Sequence, residues 1–161
     1  MKQDIAHLLP ELFSLLGQEV GVSDWKLIDQ NSIDKFSAVT GDAGPIHNDP
    51  EVSKQIAPFG GTIVQGFMML SCLTGFAKNL HLPQGNVAYR LNYGFNKVRI
   101  ITPVPVNSRI RGRFSMHNLE ARGESGALMA LEVVVEVKGT NDPALVAEWL
   151  AYLQLSPSTS E

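Results

Sequence analysis

Three runs in the C-terminal half constrain the fold more than any other feature of this chain. Ile110, Gly112, Phe114 and Met116 alternate with Arg109, Arg111, Arg113 and Ser115. Leu131, Val133, Val135 and Val137 alternate with Glu132, Val134, Glu136 and Lys138. Ala147, Trp149, Ala151 and Leu153 alternate with Glu148, Leu150, Tyr152 and Gln154. Residues two apart share one face of a strand, so each run predicts a strand with one side in a core. Turn signals separate the strands at Pro103 to Ser108, Arg122 to Gly126 and Gly139 to Pro143. Connections this short predict neighbouring antiparallel strands. Ahead of them, Ile63 to Ala77 is apolar nearly all round, interrupted by Gln65, Ser71 and Thr74, which predicts a helix buried on most sides. Helices first and one broad antiparallel sheet after them make an α+β layout, with the sheet curled around the apolar helix.

The N-terminal half supplies the other helices. Ile5, Leu8, Leu9, Leu12, Phe13 and Leu16 fall at helical spacing within Asp4 to Glu19, with Pro10 bending or splitting the segment. Trp25, Leu27 and Asp29 predict a short strand. Ser32 is placed to cap a second helix with Ile33, Phe36 and Val39 on its inner face. In Thr40 to His47, two glycines and Pro45 argue against regular structure, and Asp49-Pro50 opens a helical turn ending near Pro58. With no repeat and no linker, residues 1–155 read as one domain with an N-terminal helical segment, and 156–161 as a disordered tail.

Composition bounds the function classes. A chain of 161 residues can bury a core without disulfides or metals to staple it. A formal net charge of -3 offers no broad nucleic-acid footprint. Cys72 is the single cysteine, so an internal disulfide framework is excluded, and no cluster predicts a metal site. Met1-Lys2-Gln3-Asp4 lacks the basic start and apolar core of a secretory signal. The apolar segment is shorter than the roughly 18 residues of a membrane span. The expectation is a cytoplasmic protein with neither membrane nor nucleic acid as partner.

The loop Thr40 to His47 is the informative one for chemistry. It sets a carboxylate, Asp42, and an imidazole, His47, in one glycine-proline turn. There Asp42 could fix the orientation of His47, or the two could hold one water between them, either arrangement giving a general acid/base pair. Spacing alone favours a plainer account, in which Asp42 caps a turn and His47 is polar surface.

Resemblance changes that weighing. Phe36 to His47, read F-x-x-x-T-G-D-x-x-P-I-H, resembles the active-site signature of the MaoC-like dehydratases, which include the (R)-specific enoyl-CoA hydratases. Asp49-Pro50-Glu51 and the segment Pro58 to Phe67 resemble a second block of that family. Leu91 to Arg99 with Pro103-Val104-Pro105, and the ending Pro143 to Leu150, resemble its nodulation-protein-N-like branch. The likeness spans roughly Asp24 to Leu155.

The resemblance implies a hot-dog fold, an antiparallel sheet wrapped around a central helix, as a homodimer. It implies reversible addition of water to a trans-2-enoyl-CoA thioester, giving an (R)-3-hydroxyacyl-CoA, without cofactor or metal. Asp42 and His47 would be the catalytic pair. Gly66 would offer its N–H to the thioester oxygen, Gln65 would stand beside it in contact with substrate, and Thr74 would position Asp42. The Gly66 role is physically apt, because the amides at a helix start lack partners and lie at the positive end of the dipole.

The sequence departs from the usual D-x-N-P-x-H at Gly44, which stands in the asparagine position, and Gln65 replaces a frequent histidine. A glycine cannot supply the missing hydrogen bonds and leaves the loop freer. Arg109, Arg111 and Arg113, with Lys97 and Arg99, offer cations for coenzyme A phosphates, although a solvated strand face accounts for most of them. Two other functions compete: a non-catalytic acyl-CoA-binding protein, which Gly44 favours, and an acyl-CoA thioesterase. The thioesterase reading is the weaker, since Ile63 to Ala77 holds no carboxylate.

Overall fold

The structure, a computed structural model, describes residues 5–157. Pro10 splits the first helical segment into α1 (Ile5–Leu8) and α2 (Pro10–Phe13), consistent with a ring that cannot continue the preceding turn. Two short strands follow, β1 (Glu19–Val22) and β2 (Lys26–Ile28). Helix α3 (Gln30–Thr40) is capped by Asp29, whose carboxylate accepts from the Ser32 backbone N–H, so the predicted cap residue is the donor and not the cap. The Ser32 hydroxyl, which donates to the same carboxylate at 2.6 Å, and then the Ser32 N–H hold the Asp29 carboxyl below its usual range. Its inner face also differs from expectation. Val39 is 87% exposed, and the buried positions are Ile33 and Ser37, four apart and therefore stacked on one face.

The loop after α3 is more regular than the glycine and proline content implied. Pro45 takes the first position of a short helix, α4 (Pro45–Asn48), where its missing N–H costs nothing. Helix α5 (Pro50–Ile56) follows, capped by the Asp49 side chain. The apolar segment forms α6 (Gly66–Phe76), which ends in a single 3-10 turn at Ala77–Asn79.

The four long strands are β3 (Val87–Ile100), β4 (Ser108–Ala121), β5 (Gly126–Val137) and β6 (Leu145–Leu155). Together with β1 and β2 they make a six-stranded sheet in the order β1-β4-β5-β6-β3, with β2 also paired to β4, and every pairing is antiparallel. The β4–β5 and β5–β6 turns join neighbours as predicted. Pro103 to Ser108 does not, because β3 lies beyond β6 on the opposite edge from β4. That segment crosses over, and its backbone pairs instead with the entry to α6, where the Val64 N–H donates to the Val104 carbonyl at 2.8 Å.

The core lies between the sheet and α6. Met68, Met69, Leu73 and Phe76 of the helix join Ile110, Phe114, Met116, Met129, Leu131, Val133 and Leu153 of the strands in one buried cluster. Contact is not all round, as the apolar sequence had implied: Phe67, Ser71, Thr74 and Gly75, at i, i+4, i+7 and i+8, form one exposed face of α6, and Phe67 is 67% exposed. Among the described residues, no helix is long and apolar enough to cross a membrane. Within the expected tail, the Ser156 N–H donates to the Asn86 carbonyl at 3.0 Å. Residues 158–161 lie outside the described residues.

Candidate active site

Helix α3 ends in a way that sends Asp42 outward. Gly41 adopts φ 77, the left-handed conformation that favours glycine, and its N–H donates to the Ser37 carbonyl. Thr40 Oγ1 donates to the Phe36 carbonyl at 2.7 Å and accepts from the Asp42 N–H at 3.3 Å. The Asp42 side chain is exposed, and its carboxylate has no hydrogen bond or ion pair among the described residues. Both oxygens are thus free to accept.

His47 is held by its ring. Its Nδ1 lies 2.8 Å from the carbonyl of Ile63, just ahead of α6. A carbonyl can only accept, so Nδ1 carries the hydrogen and Nε2 keeps its lone pair. The backbones are tied at the same place, with the Ile63 N–H donating to the Ile46 carbonyl at 3.0 Å. These contacts fix the imidazole against the approach to the central helix.

Gly66 opens α6, with Gln65 as an N-cap that makes no side-chain capping bond. Its amide is therefore one of the first-turn donors without an intrahelical acceptor. The absence of a side chain has a second cause. A Cβ at Gly66 would come 2.3 Å from Ile100 Cδ1, so β3 packs directly over the helix start.

Gln65 does not stand where a substrate would touch it. It is 0% exposed, and its Nε2 lies 2.8 Å from Ser37 Oγ and 3.4 Å from the Asp42 carbonyl oxygen. It therefore supports the loop from beneath, and the expected substrate contact is corrected on that ground. Thr74 is exposed, and its hydroxyl donates to the Ser71 carbonyl at 3.2 Å rather than to Asp42. Eight residues of helix set it about 12 Å along α6 from Gly66. Hydrogen bonds thus tie the Asp42 backbone to Gln65 and the His47 ring to Ile63, both in the segment that leads into Gly66, and leave Thr74 apart.

The long strands show what the cations do. Arg111 Nε and Arg113 Nε each donate to Glu136, at 2.6 Å and 2.7 Å, and Arg113 also pairs with Glu19. The hydrogen bond from Arg113 holds the Glu136 carboxyl below its usual range, and the bond from Arg111 adds to this. Arg111 stacks over Trp25 at 4.3 Å. These two arginines are committed to the sheet and are not free for a phosphate.

A model of the MaoC-like domain matches residues 12–138, which span α3 to α6, the Asp42 to His47 loop and most of the sheet. The chain belongs to the MaoC-like dehydratase family. It is 40% identical to nodulation protein N of Rhizobium leguminosarum bv. viciae over 155 residues, which cover 93% of each chain. It is 41% identical to 3-hydroxyacyl-thioester dehydratase Z of Mycobacterium tuberculosis over 138 residues, 86% of this chain and 90% of that one. Among solved structures, an (R)-hydratase from A. caviae involved in PHA biosynthesis superposes with a TM-score of 0.69 at 20% identity, covering 88% of this chain and 96% of that one. At that identity the likeness speaks for the fold, and the fold is the hot-dog arrangement of a MaoC-like dehydratase. Membership places the chain in a family of hydratases and dehydratases, which are hydro-lyases.

Residues that composition and spacing did not single out surround this site. Gln30, Asp34 and Ser37 lie on one face of α3 at i, i+4 and i+7, beneath the loop. Their spacing with buried Ile33 was the available signal.

Proposed function

We propose that this MaoC-like protein catalyses the reversible addition of water to a trans-2-enoyl-CoA, giving an (R)-3-hydroxyacyl-CoA. The observation that carries the reading is the pairing, in one loop, of an unpartnered Asp42 carboxylate with an imidazole whose Nδ1–H is spent on Ile63. Two acceptors, the carboxylate and Nε2, are then available to one water.

The chemistry follows from those groups. As the water oxygen bonds to C3 of the enoyl group, the π electrons move through C2 to the thioester oxygen. The proton released from water passes to the Asp42/His47 pair and is returned to C2, so no proton is gained or lost overall. Negative charge grows on the thioester oxygen, and the Gly66 N–H at the positive end of α6 would meet it there. The reaction calls for no redox step and no metal, and Asp42 and His47 supply its acid/base chemistry. Helix α6, from Gly66 to Phe76, carries no Asp or Glu, so the helix carboxylate of a hot-dog thioesterase has no counterpart.

The acyl group and the second subunit belong to the same reading. A cleft of about 460 Å³ lies between α6 and β3, lined by Leu70, Leu73, Thr74, Tyr93, Phe95 and Trp149, and it would suit an acyl chain. Strand β3 is a sheet edge that exposes Tyr89, Leu91 and Tyr93, each about half exposed. An unpaired edge with so much apolar surface is a liability unless covered. A second copy pairing along β3 would cover it, giving the homodimer.

The test is turnover of trans-2-enoyl-CoA esters, following loss of the conjugated enoyl absorbance with free thiol assayed in parallel. Loss of conjugation without thiol release supports the hydratase. Thiol release would instead mean hydrolysis of the thioester, and tight binding without turnover would mean an acyl-CoA-binding protein.

A further inference from the structure

A connected set of polar side chains lies under the Asp42 to His47 loop, away from the face where water and substrate would meet it. Gln65 Nε2 lies 2.8 Å from Ser37 Oγ, 3.3 Å from the Ile33 carbonyl and 3.4 Å from the Asp42 carbonyl. Ser37 Oγ shares its one proton between the Asp42 carbonyl at 2.8 Å and Asn48 Oδ1 at 3.0 Å. Asn48 Nδ2 donates to Asp34 Oδ1 at 2.8 Å, which also accepts from Gln30 Nε2 at 2.9 Å. The same Gln30 amide donates to the His47 carbonyl at 2.8 Å. Gln30 Oε1 in turn accepts from Thr62 Oγ1 at 2.6 Å, next to the residue that holds the imidazole. Hydrogen bonds therefore run without a break from Gln65, at the start of α6, to the backbone carbonyls of both Asp42 and His47.

Two observations give this network more than a packing role. The first is that Gln65 Oε1 is buried with no partner. An unpaired buried oxygen is destabilising, and a methionine of similar volume would fill the same space without that penalty. What the glutamine adds is its pair of N–H donors, and these point at Ser37 and the loop. The second is that α4, the four-residue helix carrying His47, starts at Gly44 with no side-chain cap. A helix that short has little stability of its own, so something else must hold it.

We propose that Gln65 and Ser37 are positioning residues for the reaction. They hold the Asp42 carbonyl directly, and the His47 carbonyl through Asn48, Asp34 and Gln30, so that carboxylate and imidazole face one water. The network does from below what a cap at residue 44 would do from above. This inference rests on the acid/base reading of Asp42 and His47.

The experiment measures kcat, KM and thermal unfolding for Gln65→Met and Ser37→Ala, each alone and combined with Gly44→Asn, beside Asp42→Asn. Gln65→Met is expected to lose about tenfold or more in kcat with KM held within about twofold, because a misplaced catalytic group costs rate and not binding. Its Tm should stay level or rise, the opposite of what a merely structural role gives. Ser37→Ala should lower kcat in the same sense. A Cβ at Gly44 meets only His47 Cδ2, at 3.8 Å, so asparagine fits there, can cap α4, and should restore much of the lost kcat. The inference is overturned if Gln65→Met and Ser37→Ala turn over at the parent rate while Asp42→Asn is inactive. It is overturned equally if lost rate only tracks lost folded protein and Gly44→Asn restores none of it. Full turnover by Asp42→Asn would instead remove the acid/base reading, and this inference with it.

Discussion

His47 Nδ1 and the carbonyl oxygen of Ile63 lie 2.8 Å apart, and this contact determines which ring nitrogen keeps a free lone pair. The carbonyl needs a hydrogen from the ring, so the neutral imidazole carries it on Nδ1 and leaves Nε2 with its lone pair. Nitrogen-15 NMR of the labelled ring should show the Nδ1–H tautomer when His47 is neutral. A ring protonated at Nε2 instead would remove its lone pair from the water site.

The start of α6 predicts a separable effect on stability and rate. Gly66→Ala drives a methyl into Ile100 Cδ1, at 2.3 Å before relaxation, and should destabilise the fold by about 1–3 kcal/mol. Ile100→Val removes that Cδ1 atom, so the double variant should recover most of the lost Tm. Its kcat/KM should remain low, because the methyl still crowds the amide that would meet the thioester oxygen. Recovery of full activity along with Tm would deny Gly66 that role.

Much of this fold was legible in the sequence, and the reasons are physical. Strands β4, β5 and β6 each have one face in the core, so alternation announced them. Strand β3 carried no such signal, because an edge strand with Tyr89, Leu91 and Tyr93 all exposed has no dry face to mark. Short connections misled at Pro103 to Ser108, where the chain crosses over to pair with residues 62–64. In α3 an apolar residue, Val39, faces solvent, while polar Ser37 is buried by its hydrogen bonds to the loop. A hydrophobic pattern reads such a serine as surface. The Asp42 to His47 loop stood out by resemblance, and its support from beneath shows only in the packing of α3 against it.

Acid should unmask the ion pairs on the sheet. Glu136 is held below its ordinary value of 4.5, first by the hydrogen bond from Arg113 and then by that from Arg111. Its folded value therefore lies under its unfolded one, and the pairing stabilises the fold fully above the unfolded value. That contribution disappears as pH falls through the lowered folded value. Glu136→Gln should cost about 1 kcal/mol at neutral pH and low salt. Denaturant melts should show the gap from the parent closing as the pH drops below about 4.5. A gap that persists unchanged in acid would mean that the carboxylate's charge is not what stabilises.

The edge of β3 predicts an assembly. Leu91 is 54% exposed on a fourteen-residue edge strand, and a second copy would bury it. Light scattering after size exclusion should give a dimer for the parent chain and a shift toward monomer for Leu91→Lys. A parent that runs as a monomer at micromolar concentration would show that the exposed edge is not a self-interface.

The central claim, that Asp42 and His47 together activate one water for addition to an enoyl thioester, is tested most directly by hydration kinetics. Steady-state turnover of a trans-2-enoyl-CoA should be measured for the parent, Asp42→Asn, His47→Ala and the double variant. The account predicts that each single variant loses about 10²–10⁴-fold in kcat with Tm unchanged, and that the double variant is little worse than either, as for groups acting as one unit. Turnover near the parent rate in either single variant would contradict it.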